Sequence, residues 1–159
     1  MERYSNIKLK SVKSELNKVV AFIENICDQH NIFNNYYGNI VTAISEAFIN
    51  AVEHGNKNDS TKSVKIHFEV QDDGFAFCVS DEGEGFDSNN IADPTETESI
   101  SGTGIYLMKT LSDDIEFHDK GRTVCMKFLI SSINKEVADN RVNKFKQFIK
   151  KGVNQKTKI

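Results

Sequence analysis

Three short segments carry side chains whose types and spacing can do chemistry. In Ser45-Glu46-Ala47-Phe48-Ile49-Asn50-Ala51-Val52-Glu53-His54, the residues Glu46, Asn50 and His54 recur every fourth position and fall in one leaning row if the segment is helical. A carboxylate and an amide one turn apart can share a hard cation, or set a base beside a metal ligand. Such a row is also what an ordinary solvated helix face carries. Asp81-Glu82-Gly83-Glu84-Gly85 follows an apolar run. Its alternate glycines let backbone approach a flat ligand, and Asp81 can accept from an exocyclic amine; an acidic turn would look the same. Ser101-Gly102-Thr103-Gly104-Ile105 opens a helical pattern. Free N–H groups there, at the positive end of the helix dipole, suit phosphate. No Gly-Lys-Ser/Thr follows, and the glycines come after a long loop rather than a strand, which excludes a Walker loop and a dinucleotide fingerprint. A helix start capped by Thr103 is the plainer alternative.

The elements that must position these residues are legible in the periodicity. Ser5–Val12 alternates loosely and reads as a strand. A helix follows from about Ser14 to His30, with Leu16, Val19, Val20, Ile23 and Ile26 on one face. Ile32–Gly38 is aromatic and turn-like. A second helix runs from about Asn39 to His54, with Gly55 as its stop. Val64, Ile66, Phe68 and Val70 mark a half-buried strand, Asp72-Asp73-Gly74 a hairpin turn, and Phe75–Val79 the returning strand. Asp81–Ser101 is a polar loop holding the only proline, Pro94, and loops of that length inside a compact domain usually serve function. Gly102–Leu111 is helical. Ile115–His118 and Thr123–Ile130 form a second hairpin, and Glu136–Lys151 is a terminal amphipathic helix packing through Phe145 and Phe148. The expected fold is an α/β two-layer sandwich: a mixed, mostly antiparallel sheet with helices on one face.

Composition narrows the class. The chain has 159 residues, 38% of them hydrophobic, enough for one ordinary core. No apolar run approaches the ~20 residues a membrane span needs. Met1–Ser5 begins no apolar signal segment. Cys27, Cys78 and Cys125, odd in number and far apart, argue against a disulfide framework or zinc site and for buried thiols in a reducing cytoplasm. His30, His67 and His118 read as structural. The net charge of −3 hides an asymmetry. Residues 134–159 carry eight Lys or Arg against Glu136 and Asp139, a balance of +6, and leave −9 on residues 1–133. Between Lys65 and Lys109 there are ten Asp or Glu and no basic residue.

The order of the motifs is more telling than any one of them. Glu-x3-Asn on a helix, Asp-x-Gly-x-Gly after a strand, a long polar loop and Gly-x-Gly at a helix start together resemble the N, G1 and G2 boxes of the GHKL ATPase superfamily, which includes gyrase, histidine-kinase and MutL ATP-binding domains. The resemblance spans about residues 5–131. Ser45-Glu46-Ala47, Asn50-Ala51, His54-Gly55-Asn56, Asp93-Pro94-Thr95 and Ser101–Met108 make the chain most similar to the stand-alone anti-sigma-factor serine/threonine kinases of bacteria.

The resemblance implies that Asn50 coordinates Mg²⁺ on the ATP phosphates and that Glu46 is general base toward a Ser or Thr hydroxyl. Asp81 would bond the adenine amino group, with Gly83 and Gly85 allowing close approach and Thr123 supporting the base. Residues 86–101 would form the ATP lid. Gly102, Thr103 and Gly104 would hold phosphate oxygens, with His54 near the phosphate end or simply at a helix end. It further implies a cytoplasmic homodimeric switch that phosphorylates an anti-sigma-factor antagonist protein and sequesters a sigma factor, with no membrane or direct nucleic-acid contact. The kinase unit is expected over 1–133, with 134–159 an appended basic helix and tail. The sequence departs from relatives in one respect: the expected lid carries Asp87, Asp93, Glu96 and Glu98 and no basic residue. Lys57, Lys109 and Arg122 are the nearest candidates to compensate. That departure keeps a second reading open, a non-catalytic nucleotide-dependent protein-binding module. A histidine-kinase ATP domain and an ATP-hydrolysing machine both require further segments that 159 residues leave no room for.

Overall fold

A computed structural model describes residues 2–32, 35–85 and 100–156. In chain order the elements are β1 (Tyr4–Lys10), α1 (Leu16–Gln29), α2 (Asn35–Asn50), β2 (Ser63–Val70), β3 (Gly74–Ser80), α3 (Ile100–Leu111), β4 (Asp114–His118), β5 (Thr123–Leu129) and α4 (Ile130–Lys156). α2 runs on into one wider π-helical turn, Ala51–Gly55. The strands form one sheet in the order β1-β2-β3-β5-β4, and all four pairings are antiparallel. The expected mixed character is therefore absent among the described strands.

Strand alternation decides which face is covered. Val64, Ile66 and Phe68 of β2, Phe77 and Val79 of β3, and Met126 and Phe128 of β5 are buried. They meet Val19, Ile23 and Ile26 of α1 and Ile40, Ile44, Ala47, Phe48 and Ala51 of α2 in a single core cluster. Phe77 links its neighbours, 5.0 Å from Phe68 and edge-on at 6.1 Å from Phe128. The intervening residues Lys65 and Glu69 are exposed, so the helices cover one face, as alternation dictates. The His30 ring packs between Phe68 and Phe75, 5.2 Å from each, and burial lowers its pKa.

Four expectations need correction. The aromatic stretch before Asn39 is helical from Asn35, because Tyr36 is anchored: its hydroxyl donates to Asp113 and its ring meets the edge of Phe128 at 6.0 Å. The terminal helix starts at Ile130, directly after β5, where Ile133 seals the core. Its Phe145 and Phe148 do not pack on the body; they are 63% and 74% exposed. Finally, Cys78 and Cys125 are bonded to each other. They lie 47 residues apart, yet sheet order sets β3 beside β5 with Cys78 opposite Cys125. Only Cys27 remains as a buried thiol, pushed up to about 12 by burial.

Candidate nucleotide site

The site is assembled where the end of α2, the loop after β3 and the start of α3 converge. α2 is driven against the sheet by its stripe Ile40, Ile44, Ala47, Ala51. That packing leaves Glu46 and Asn50 half-buried at the rim. α3 crosses them at Gly104. A Cβ on Gly104 would lie 2.9 Å from Asn50 Nδ2, 3.2 Å from Asn50 Oδ1 and 3.2 Å from Glu46 Oε2. Helix and side chains thus approach as closely as a missing side chain permits. Gly102 and Thr103 lie in the first turn of α3, where the backbone N–H groups have no helical acceptor. Residues 86–99, which hold most of the expected lid, and the Thr103 side chain lie outside the described residues.

The loop after β3 is held tightly against the end of α2. Asp81 Oδ1 accepts from the Gly83 N–H at 2.8 Å, and the Asp81 N–H donates to Arg122 O at 2.9 Å. A Cβ on Gly55 would fall 2.3 Å from the Asp81 carboxyl, and one on Gly83 only 1.9 Å from Gly55 O. Two glycines therefore let the helix end and the loop touch. Gly85 has φ +82, and a Cβ there would lie 2.1 Å from Lys120 O in the turn before β5. Burial pushes the Asp81 pKa above its ordinary value; the Gly83 N–H and the Arg122 charge pull the other way without cancelling it. A carboxylate held partly dry and rigid is suited to accept from a purine amine. Thr123 Oγ1 shares a 2.8 Å hydrogen bond with Ser80 Oγ at the same strand ends.

His54 lies in the wider turn at 51–55 and is exposed, with Nε2 3.9 Å from Glu53. Glu53 itself pairs with Lys13, which lowers its pKa. Two of the three compensating cations are engaged elsewhere: Arg122 Nε donates to Gly83 O at 2.7 Å, and Lys57 lies 3.8 Å from Glu84. Sequence reasoning missed Arg122 as a brace, and missed Glu82, whose carboxylate accepts from Ser63 N–H at 2.6 Å and from the Ser63 hydroxyl at 3.1 Å. Neither has a local signal, because each partner is distant in sequence, Gly83 in the loop after β3 and Ser63 at the start of β2.

A carboxylate-amide pair beneath a glycine-lined helix start, with a braced aspartate one loop away, defines an ATP-binding domain of the histidine-kinase type. The description "Histidine kinase-like ATPase domain" matches residues 9–128, and the chain belongs to that family. Within it, the chain is 30% identical to the serine-protein kinase RsbW of a Bacillus cereus strain, over 93% of this chain and 99% of that protein. RsbW of Bacillus thuringiensis subsp. konkukian matches to the same extent. The crystal structure of the RsbU and RsbW domains of Rv1364c from Mycobacterium tuberculosis shares the fold, with TM-score 0.60 at 20% identity. The match covers 80% of this chain and 32% of that longer one.

Proposed function

We propose that the chain is an ATP- and Mg²⁺-dependent protein serine/threonine kinase that acts as an anti-sigma switch. The observation that carries the reading is the meeting of Glu46 and Asn50 with the start of α3 at Gly104. The residues fit the ligand: side-chain oxygens suit a hard cation, the glycine cradle would be filled by any Cβ, and the first turn of α3 offers free N–H groups. Asn50 would hold Mg²⁺, and the N–H groups of Gly102 and Thr103 would hold phosphate oxygens, with Gly104 giving room beside Asn50 and Glu46. Asp81 would accept from the adenine amine, with Gly83 and Gly85 permitting close approach and Thr123 supporting the base. Mg-ATP supplies an electrophilic γ-phosphoryl group whose transfer depends on alignment and charge neutralisation. Glu46 draws the proton from the incoming Ser or Thr hydroxyl.

In this reading the substrate is a small antagonist protein, the alternate partner is a sigma factor, and the switch works as a cytoplasmic homodimer. The RsbW relatives, named serine-protein kinases and matched along nearly their whole length, support it. The kinase unit is residues 1–133, with 134–159 an appended basic helix and tail. Incubation with labelled ATP, Mg²⁺ and a candidate small antagonist protein is expected to label a Ser or Thr on that antagonist. One observation favours the non-catalytic alternative: residues 86–101 contain no Lys or Arg, and Arg122 and Lys57 are engaged by other groups. Mg-ATP binding and partner capture without any labelling would establish that alternative.

A further inference from the structure

Among the described residues, two polar side chains are almost fully buried, Ser11 and Asn56, each 1% exposed. They are bonded to each other. Asn56 Nδ2 donates to Ser11 Oγ at 3.0 Å and to Ser63 O at 3.0 Å. Its Oδ1 accepts from the Glu82 N–H at 2.8 Å. One amide side chain therefore ties the segment after β1, the start of β2 and the loop after β3. Its own backbone is fixed as well, since the Asn56 N–H donates to Ala51 O at 2.8 Å across the π-helical turn. A buried amide with three of its four positions used is costly to place and costly to remove. Asn56 is not a member of the hydrophobic core cluster. What it reaches is the residue between Asp81 and Gly83. Arg122 Nε donates to the carbonyl of the next residue, Gly83, at 2.7 Å.

We propose that Asn56 is a positioning residue for base recognition: it fixes the Asp81 carboxylate at a set distance from the Glu46–Asn50 rim, so that adenine and phosphates are read by one rigid ruler. The proposal rests on the ATP reading above. The seven residues from Asn50 to Asn56 are the ruler's body, and the π-helical turn aims its end. Asp81 accepts from the 6-amino group of adenine, whereas guanine presents a carbonyl oxygen there. Loss of Asn56 frees the loop and should weaken ATP more than GTP.

The test compares Asn56→Ala with the wild type in equilibrium binding of Mg-ATP and Mg-GTP and in amide hydrogen exchange without nucleotide. About a tenfold loss in ATP affinity is expected, the worth of one buried hydrogen bond to a loop, with GTP changed less than about twofold. In the transfer assay KM for ATP should rise with kcat nearly unchanged. The Glu82 amide should be protected in the wild type and exchange at least about tenfold faster in the variant. Equal losses for ATP and GTP would mean general damage and would overturn the proposal, as would unchanged ATP affinity. Should Asn56→Ala fail to fold, Ser11→Ala removes one of its partners and should weaken ATP about threefold while sparing GTP; no selective loss overturns the idea. A wild type that binds no nucleotide but protects the Glu82 amide would defeat the functional reading and leave the brace standing.

Discussion

Asp81 is a carboxyl held against its own electrostatics. Its folded-state pKa is raised, burial being the largest cause. A raised carboxyl pKa means that the ionised form counts against folding at neutral pH. The penalty is absent below the ordinary value of 3.8 and grows as pH rises through the folded-state value. Asp81→Asn should therefore melt at or above the wild-type temperature at pH 7, with the gap closing as pH is lowered toward 3.8. The same substitution should weaken Mg-ATP binding about tenfold or more, since an amide no longer offers the charged acceptor. Thermal melts across pH and a binding titration check both halves. A variant that is less stable at pH 7 and binds ATP normally would sink the assignment. At this scale type and spacing single out Glu46, Asn50, Asp81 and the glycines as candidates, and the fold brings Glu46 and Asn50 against Gly104 and Asp81 against Gly83. They do not single out the bracing roles of Asn56, Arg122 and Glu82, because each acts through partners on other elements.

Elements with strict periodicity were the legible ones. β2 alternates without a break and occupies the expected residues, Ser63–Val70. α2 was misjudged at both ends, for different reasons. Its start contains Tyr36-Tyr37-Gly38, which reads as a turn, although Gly38 meets nothing within 4 Å and the helix runs through it. Its end widens into a π-helical turn, which spacing cannot reveal. Strand neighbourhood is equally invisible to spacing. β3 lies beside β5 because β4 is threaded to the edge, and that order brings Cys78 to Cys125. Alkylation under denaturing conditions should therefore count one thiol in the unreduced protein and three after reduction. Under native conditions Cys27, 2% exposed with its pKa near 12, should stay unreactive. Three thiols without reductant would contradict the pairing.

Taken whole, the molecule is a two-layer sandwich, an antiparallel sheet with the described helices packed on one face. That architecture was readable from the succession of strands and helices, as was the link between the three motifs. The wholly antiparallel pairing was not, since it depends on strand order. No helix among the described residues is long and apolar enough to cross a membrane. α4 extends past Ile133 with Val142, Phe145, Phe148 and Ile149 exposed. The functional account joins Glu46 to transfer and Asn50 to Mg²⁺, and the two roles separate experimentally. The most direct measurement is phosphate transfer to the antagonist by Glu46→Ala, with Mg-ATP affinity measured on the same preparation. Affinity within a few-fold of wild type and a transfer rate lower by about 10² to 10⁴ is the predicted result. Normal transfer by Glu46→Ala would contradict the account.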